Sequence, residues 1–170
     1  QGASPVRLAD ITRAAGIAVT HENGATGKKY LPETMGSGSA FVDVDADGDQ
    51  DLVLVSGLFP REGAPGGAYA RLFRNDGQGR FTDVTAGSGL DRALPPALAP
   101  APAARTAPAR PARPANPPLE YGMGIAAGDF DNDGWPDLLL TAVGQSRLFR
   151  NVAGKRFVDV TQAAGLGDDL

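Results

Sequence analysis

Two nine-residue acidic stretches constrain this chain more than anything else in it. Asp43-Val44-Asp45-Ala46-Asp47-Gly48-Asp49-Gln50-Asp51 and Asp129-Phe130-Asp131-Asn132-Asp133-Gly134-Trp135-Pro136-Asp137 share the pattern D-x-D-x-D-G-x-x-D at an offset of 86. Four carboxylates crowded into one tight turn repel one another unless something positive sits among them. Gly at the sixth position permits a sharp turn. Alternate side chains on such a loop can aim inward together. A fold that keeps this arrangement twice needs a cation, and needs firm strands on either side of each loop.

The repetition extends beyond the loops. Leu72-Phe73-Arg74-Asn75, Arg80-Phe81-Thr82-Asp83-Val84-Thr85 and Gly89-Leu90 recur as Leu148-Phe149-Arg150-Asn151, Arg156-Phe157-Val158-Asp159-Val160-Thr161 and Gly165-Leu166, always at an offset of 76. Gly36-Ser37-Gly38-Ser39-Ala40 precedes the first loop as Gly122-Met123-Gly124-Ile125-Ala126 precedes the second. A third, partial copy opens the chain with Asp10-Ile11-Thr12 and Gly16-Ile17. Repeats of this kind mark a chain built of stacked supersecondary units.

Each unit reads as β. Phe41-Val42-Asp43-Val44 alternates ahead of the first loop, and Asp51–Val55 and Asp137–Leu140 follow the loops as short apolar runs. Arg71–Asn75 and Arg147–Asn151 each lead through a Gly-containing turn into Arg-Phe-x-Asp-Val-Thr, a hairpin pattern. The expected fold is all-β, with propeller-type blades of short antiparallel strands, about two blades plus the partial N-terminal copy. Thr161–Gly165 fits either a continuation of the β pattern or one helical turn closed by glycine. Phe73, Phe81, Phe149 and Phe157 are assigned to the core. The expected organisation is a first repeat with the partial copy over 1–90, an exposed insertion over 91–120 and a second repeat over 121–170. The insertion holds 9 Pro, 10 Ala and 4 Arg, a composition that favours extended, polyproline-like chain. Thr106 within it is a candidate for O-linked sugar, and no Asn-x-Ser/Thr sequon occurs.

The acidic pattern fits a hard cation. Ca2+ takes six to eight oxygens at roughly 2.3–2.6 Å. The candidate ligands are Asp43, Asp45, Asp47 and Asp51 in one loop and Asp129, Asp131, Asp133 and Asp137 in the other. Asp49 and Trp135, at the seventh position, would each offer a backbone carbonyl. An EF-hand needs a glutamate at the twelfth position, where this chain has Leu54 and Leu140. Two β-loop Ca2+ sites are therefore expected. Mg2+ fits less well, because it keeps more waters.

The Gly-x-Gly-x-Ala lead, the acidic loop, Leu-Phe-Arg-Asn and Phe-x-Asp-Val-Thr together resemble FG-GAP/VCBS repeats. The stretch from His21 to Gly36 resembles the start of ASPIC/UnbV, cartilage acidic protein-like, extracellular proteins. The resemblance implies calcium-binding propeller blades, a secreted or cell-surface location and a role in adhesion, recognition or assembly. It implies no shared catalytic chemistry. A propeller closes with several blades, typically 4–8, so about two leave faces to cover. Self-association, in a ring or a filament, or another chain completing the propeller, is the expected partnership.

Other functions fare worse. With 16 Lys+Arg against 20 Asp+Glu, the net charge of -4 disfavours nucleic-acid binding, which depends on phosphate neutralisation. The recurring arginines read as solvated strand edges. There is no Cys and one His, His21, which removes thiolate sites, a Cys nucleophile and His pairs. No Ser-His-Asp arrangement, P-loop or dinucleotide fingerprint is legible, and an acidic-pair hydrolase remains only an outside alternative, so no enzyme is expected. A lectin-like module is the main alternative, with Trp135 and Tyr121 as stacking faces for a glycan, although Trp135 reads more readily as cover for a loop or packing between blades. The longest apolar runs fall far short of the roughly 20 residues that span a bilayer. The chain begins with Gln1, which fits a processed mature chain or a fragment.

Overall fold

The computed structural model describes residues 6–23, 25, 27–57, 67–91 and 121–166. The expected insertion, apart from Asp91, lies outside the described residues, as does Thr106 within it. The described part is all-β, with one four-residue helix, α1 (Leu31–Thr34).

Eight strands form two four-stranded antiparallel sheets. The first holds β1 (Ser39–Val42), β2 (Asp51–Val55), β3 (Ala70–Asn75) and β4 (Phe81–Asp83) in sequential order. The second holds β5 (Tyr121–Gly128), β6 (Asp137–Val143), β7 (Arg147–Val152) and β8 (Arg156–Asp159) in the same order. Register repeats as well. Leu52 faces Phe73, which faces Asp83, and Leu138 faces Phe149, which faces Asp159. Each acidic loop joins the first two strands of its sheet, so its ends are clamped by a ladder.

One apolar core runs between the sheets. Val42, Val44, Val53, Val55, Leu72 and Leu90 from the first repeat pack with Leu138, Leu140, Phe149 and Phe157 from the second. Tyr69 tilts against Phe149 with ring centroids 5.3 Å apart, and the Arg147 guanidinium lies over the Tyr69 ring. Four aromatics were expected inside. Phe73, Phe149 and Phe157 are buried, but Phe81 is only half-buried, beside the exposed Phe41 at 6.5 Å. Phe157, on the equally terminal β8, is covered by the first sheet, whose Ser88 carbonyl accepts its N–H, whereas Phe81 on β4 faces the short turn at Ala15 and the exposed Phe41.

The sheets also meet where their first strands begin. The Gly38 N–H donates to the Met123 carbonyl at 2.9 Å, and the Ser37 hydroxyl donates to the Gly122 carbonyl at 2.7 Å. A Cβ on Gly38 would sit 3.0 Å from the Gly124 Cα. The Gly-x-Gly lead is thus a close crossing of two backbones, which a side chain would push apart. Among the described residues, no helix is long and apolar enough to cross a membrane.

Candidate metal centre

Both acidic loops fold alike. The Asp43 carboxylate accepts the N–H groups of Asp47 (3.1 Å) and Gly48 (2.9 Å), and Asp129 accepts those of Asp133 (3.1 Å) and Gly134 (2.9 Å). The third carboxylate of each loop closes a smaller turn, Asp47 accepting the Asp49 N–H and Asp133 that of Trp135. The fourth residue of each loop, Ala46 or Asn132, adopts a left-handed backbone, with φ of 57° and 58°. These short-range bonds are what a closely spaced Asp series dictates, since Asp side chains readily bond backbone one to five residues on.

The ninth position does something different. Asp51 and Asp137 are buried, at 0% and 1% exposure. Asp51 accepts the Val44 N–H at the loop's start (3.2 Å) and the Asn75 N–H at the end of β3 (2.9 Å). Asp137 accepts the N–H groups of Phe130 (3.0 Å) and Asn151 (2.7 Å). Each therefore ties loop, second strand and third strand together. Burial pushes both carboxyls above the ordinary aspartate range, only partly offset by these backbone bonds; Asp47 and Asp43 add to the rise at Asp51, as Asp131 and Asp133 do at Asp137.

Three carboxylates converge in each loop. Asp43, Asp45 and Asp51 bring oxygens within 4.8 Å of one another, and Asp129, Asp131 and Asp137 do the same. Of the remaining sequence candidates, Asp47 and Asp133 face the neighbouring backbone through the turns above. The Asp49 carboxylate lies against Gly77, 2.4 Å from where a Cβ there would stand. The donor set fits a hard divalent cation. It consists of oxygens only, and one of them, the buried Asp45 Oδ1, has no hydrogen-bond partner.

Sequence reasoning missed the cations of the protein itself. Arg74 and Arg150 do not line solvated edges. The Arg74 guanidinium pairs with Asp45, lies 3.7 Å from the Asp51 carboxylate and donates to the Gly154 carbonyl at 2.9 Å. Arg150 reaches Asp131 at 3.7 Å. Arg71 and Arg147 pair with Asp83 and Asp159 on the adjoining strands. The signal was present in the identical Leu-Phe-Arg-Asn runs, where only an arginine tied to a repeated feature has reason to recur in register.

The first loop is also gripped by the second sheet. Asn151 donates its amide to the Val44 carbonyl (2.8 Å) and to the Pro136 carbonyl (3.1 Å), while its own oxygen accepts the Gly154 N–H (2.9 Å). Trp135 lies in the same seam, its ring 2.7 Å from where a Cβ on Gly154 would stand, with the Asp45 backbone at 2.8 Å. It packs between the sheets rather than offering an open stacking face. Tyr121, the other stacking candidate, is buried, and its hydroxyl donates to Glu33 at 3.4 Å. His21 sits against Gly57, away from both loops.

No curated protein matches the chain. The family model described as FG-GAP repeat matches residues 121–158, the span that runs from β5 through the second acidic loop into β8. The chain thus carries an FG-GAP repeat in its second sheet, and the first sheet reproduces that repeat's strand order, register and acidic loop.

Proposed function

We propose that this chain is a calcium-stabilised β-repeat module that works outside the cytoplasm in binding or self-assembly. The observation that carries this reading is the duplicate loop. Two nine-residue turns, each with three converging carboxylates, are held by the same backbone bonds in two sheets. Asp43, Asp45 and Asp51 would hold one Ca2+, and Asp129, Asp131 and Asp137 the other. The bound ion supplies positive charge to carboxylates that burial otherwise disfavours.

The metal is structural in this reading. Asp51 and Asp137 are enclosed and already fasten two strands to the loop, so an ion beside them strengthens a joint rather than activating a substrate. The extracellular assignment rests on the resemblance to VCBS and ASPIC/UnbV sequences and on calcium being near millimolar there, which suits modest sites. The test is thermal unfolding of the metal-free protein with and without millimolar Ca2+, paired with calorimetric titration. A rise in Tm and about two ions per chain are expected. An unchanged Tm with no heat of binding overturns the reading.

A further inference from the structure

A cavity of about 410 Å3 opens in the seam between the two sheets, within the size range of small-molecule pockets. Leu72 and Arg74 of β3 and Val84 line it from the first repeat. Lys155, with Arg156 and Phe157 of β8, lines it from the second. Its charge differs from that of the molecule as a whole. The chain carries a net charge of -4, yet three cations line this cavity and no Asp or Glu does.

Two of the three cations are unmatched. Arg74 spends its charge on Asp45 and donates to the Gly154 carbonyl. Among the described residues, the side chains of Lys155 and Arg156 make no hydrogen bond and no ion pair. The repeat shows what the second sheet lacks. Residues 76–80 of the first repeat correspond to 152–156 of the second. In the first, Asp76 heads the turn, accepts the N–H groups of Gln78 (2.9 Å) and Arg80 (3.1 Å), and sets a negative charge beside Arg80. In the second, Val152 stands in place of Asp76 and Lys155 in place of Gly79. The second turn thus has one acid fewer and one cation more, and both of its cations line the cavity. Like charges gathered at one cavity repel, and an anion between them removes that cost.

We propose that this cavity binds a small organic anion, an apolar body carrying a sulfate, phosphate or carboxylate group, with Lys155 and Arg156 on the oxyanion. An ammonium and a guanidinium both suit such oxygens, the guanidinium as a planar fork that holds two at once. The rest of the lining selects the body. Leu72, Val84 and Phe157 present carbon to the cavity, and a bare inorganic ion would leave that wall without contacts. Lys155 is exposed and Arg156 half-buried, so an anion reaches both from solvent. The site goes beyond the calcium reading and uses none of the converging carboxylates of either acidic loop.

The test is calorimetric titration of the full chain in millimolar Ca2+ with phenyl sulfate, phenyl phosphate and benzoate. Benzyl alcohol is the neutral comparison and sodium sulfate the bare ion. Trp135, the single tryptophan, lies beside Gly154 at the cavity and gives a second readout by fluorescence. At least one aryl anion should bind saturably and more tightly than benzyl alcohol or sulfate, and the tightest of the three names the oxyanion. Lys155→Gln and Arg156→Gln should each weaken that binding by about fivefold, the upper range for a partly exposed charge pair, and the double variant should remove it. Arg80→Gln, at the repeat counterpart of Arg156, should leave it unchanged. Neither Lys155 nor Arg156 has a side-chain partner to lose, so circular dichroism and Tm should match wild type. Should Arg156→Gln fold poorly, Lys155→Gln decides alone. The proposal is overturned if no aryl anion binds, if benzyl alcohol or sulfate binds as tightly, or if the affinity survives the substitutions.

Discussion

Asn151 donates its side-chain amide to the backbone carbonyl of Val44, a residue 107 positions earlier and inside the first acidic loop. The bond makes the second sheet part of the first loop's scaffold. Asn75, its repeat counterpart, has the shorter reach: its amide meets the Gln50 carbonyl within its own sheet.

Replacing these two asparagines should therefore have unequal effects. Asn151→Ala strands two carbonyls and the Gly154 N–H at a position 1% exposed, and should destabilise by about 2–3 kcal/mol. Asn75→Ala, at a half-buried site, should cost about 1 kcal/mol. Urea unfolding of both variants checks this, and equal losses would show that the seam bond contributes nothing.

Ala46 and Asn132 share the fourth loop position and a left-handed backbone. That conformation costs an alanine roughly 1–2 kcal/mol and an asparagine less, because its short polar side chain bonds locally. Ala46→Asn should stabilise the protein by about 0.5–1 kcal/mol, and Asn132→Ala should destabilise it by a similar amount. Thermal unfolding of the metal-free forms decides the signs.

Much of this was legible along the chain and some was not, for a physical reason. The acidic loops and the glycine-closed turn at Thr161–Gly165 are set by residues within about ten positions of each other, and the strands pair with their neighbours in sequence, so spacing reveals them. Arg74 meets Asp45 only because β2 and β3 pair and turn its side chain towards the loop. The contrast between a buried Val44 and an exposed Phe130 has no local cause at all: the loops are alike, and a neighbouring sheet covers one of them. Trp135 likewise becomes a seam residue through Gly154 and Asp45, which lie 19 positions after it and 90 before it. Phe81, assigned to the core by its repeat partner Phe157, is half-buried because it faces only the short turn at Ala15, whereas the first sheet covers Phe157.

Acid should shrink the calcium effect. Burial raises the Asp51 and Asp137 carboxyls in the folded protein. A raised folded value means that their contribution to stability is complete below the ordinary aspartate value, about 3.9, and is lost as pH climbs through the raised one. Metal-free protein thus carries a penalty at neutral pH that Ca2+ relieves. Asp76 is shifted the other way, held low by the N–H groups of Gln78 and Arg80, so its contribution disappears only at pH below the ordinary range and does not mask the effect. The Tm increment from Ca2+ should be largest near pH 7 and decline towards pH 4.5. An increment that grows on acidification would contradict this account of the loops.

Arg74 should act in opposite directions with and without metal. Its guanidinium neutralises Asp45 and approaches Asp51 when no ion is bound, and it also braces the seam through the Gly154 carbonyl. The same positive charge opposes a cation arriving among Asp43, Asp45 and Asp51. Arg74→Gln should lower the Tm of the metal-free protein and tighten Ca2+ binding at the first loop by about five- to tenfold, on the order of 1 kcal/mol of relieved repulsion screened by partial exposure. Arg150→Gln should change both quantities less, because Arg150 is more exposed, reaches Asp131 only at 3.7 Å and bridges no seam within the chain. Calorimetric titration resolves the two affinities. If Arg74→Gln weakens binding at the first loop, the arginine helps to shape the site for the ion rather than standing in for it.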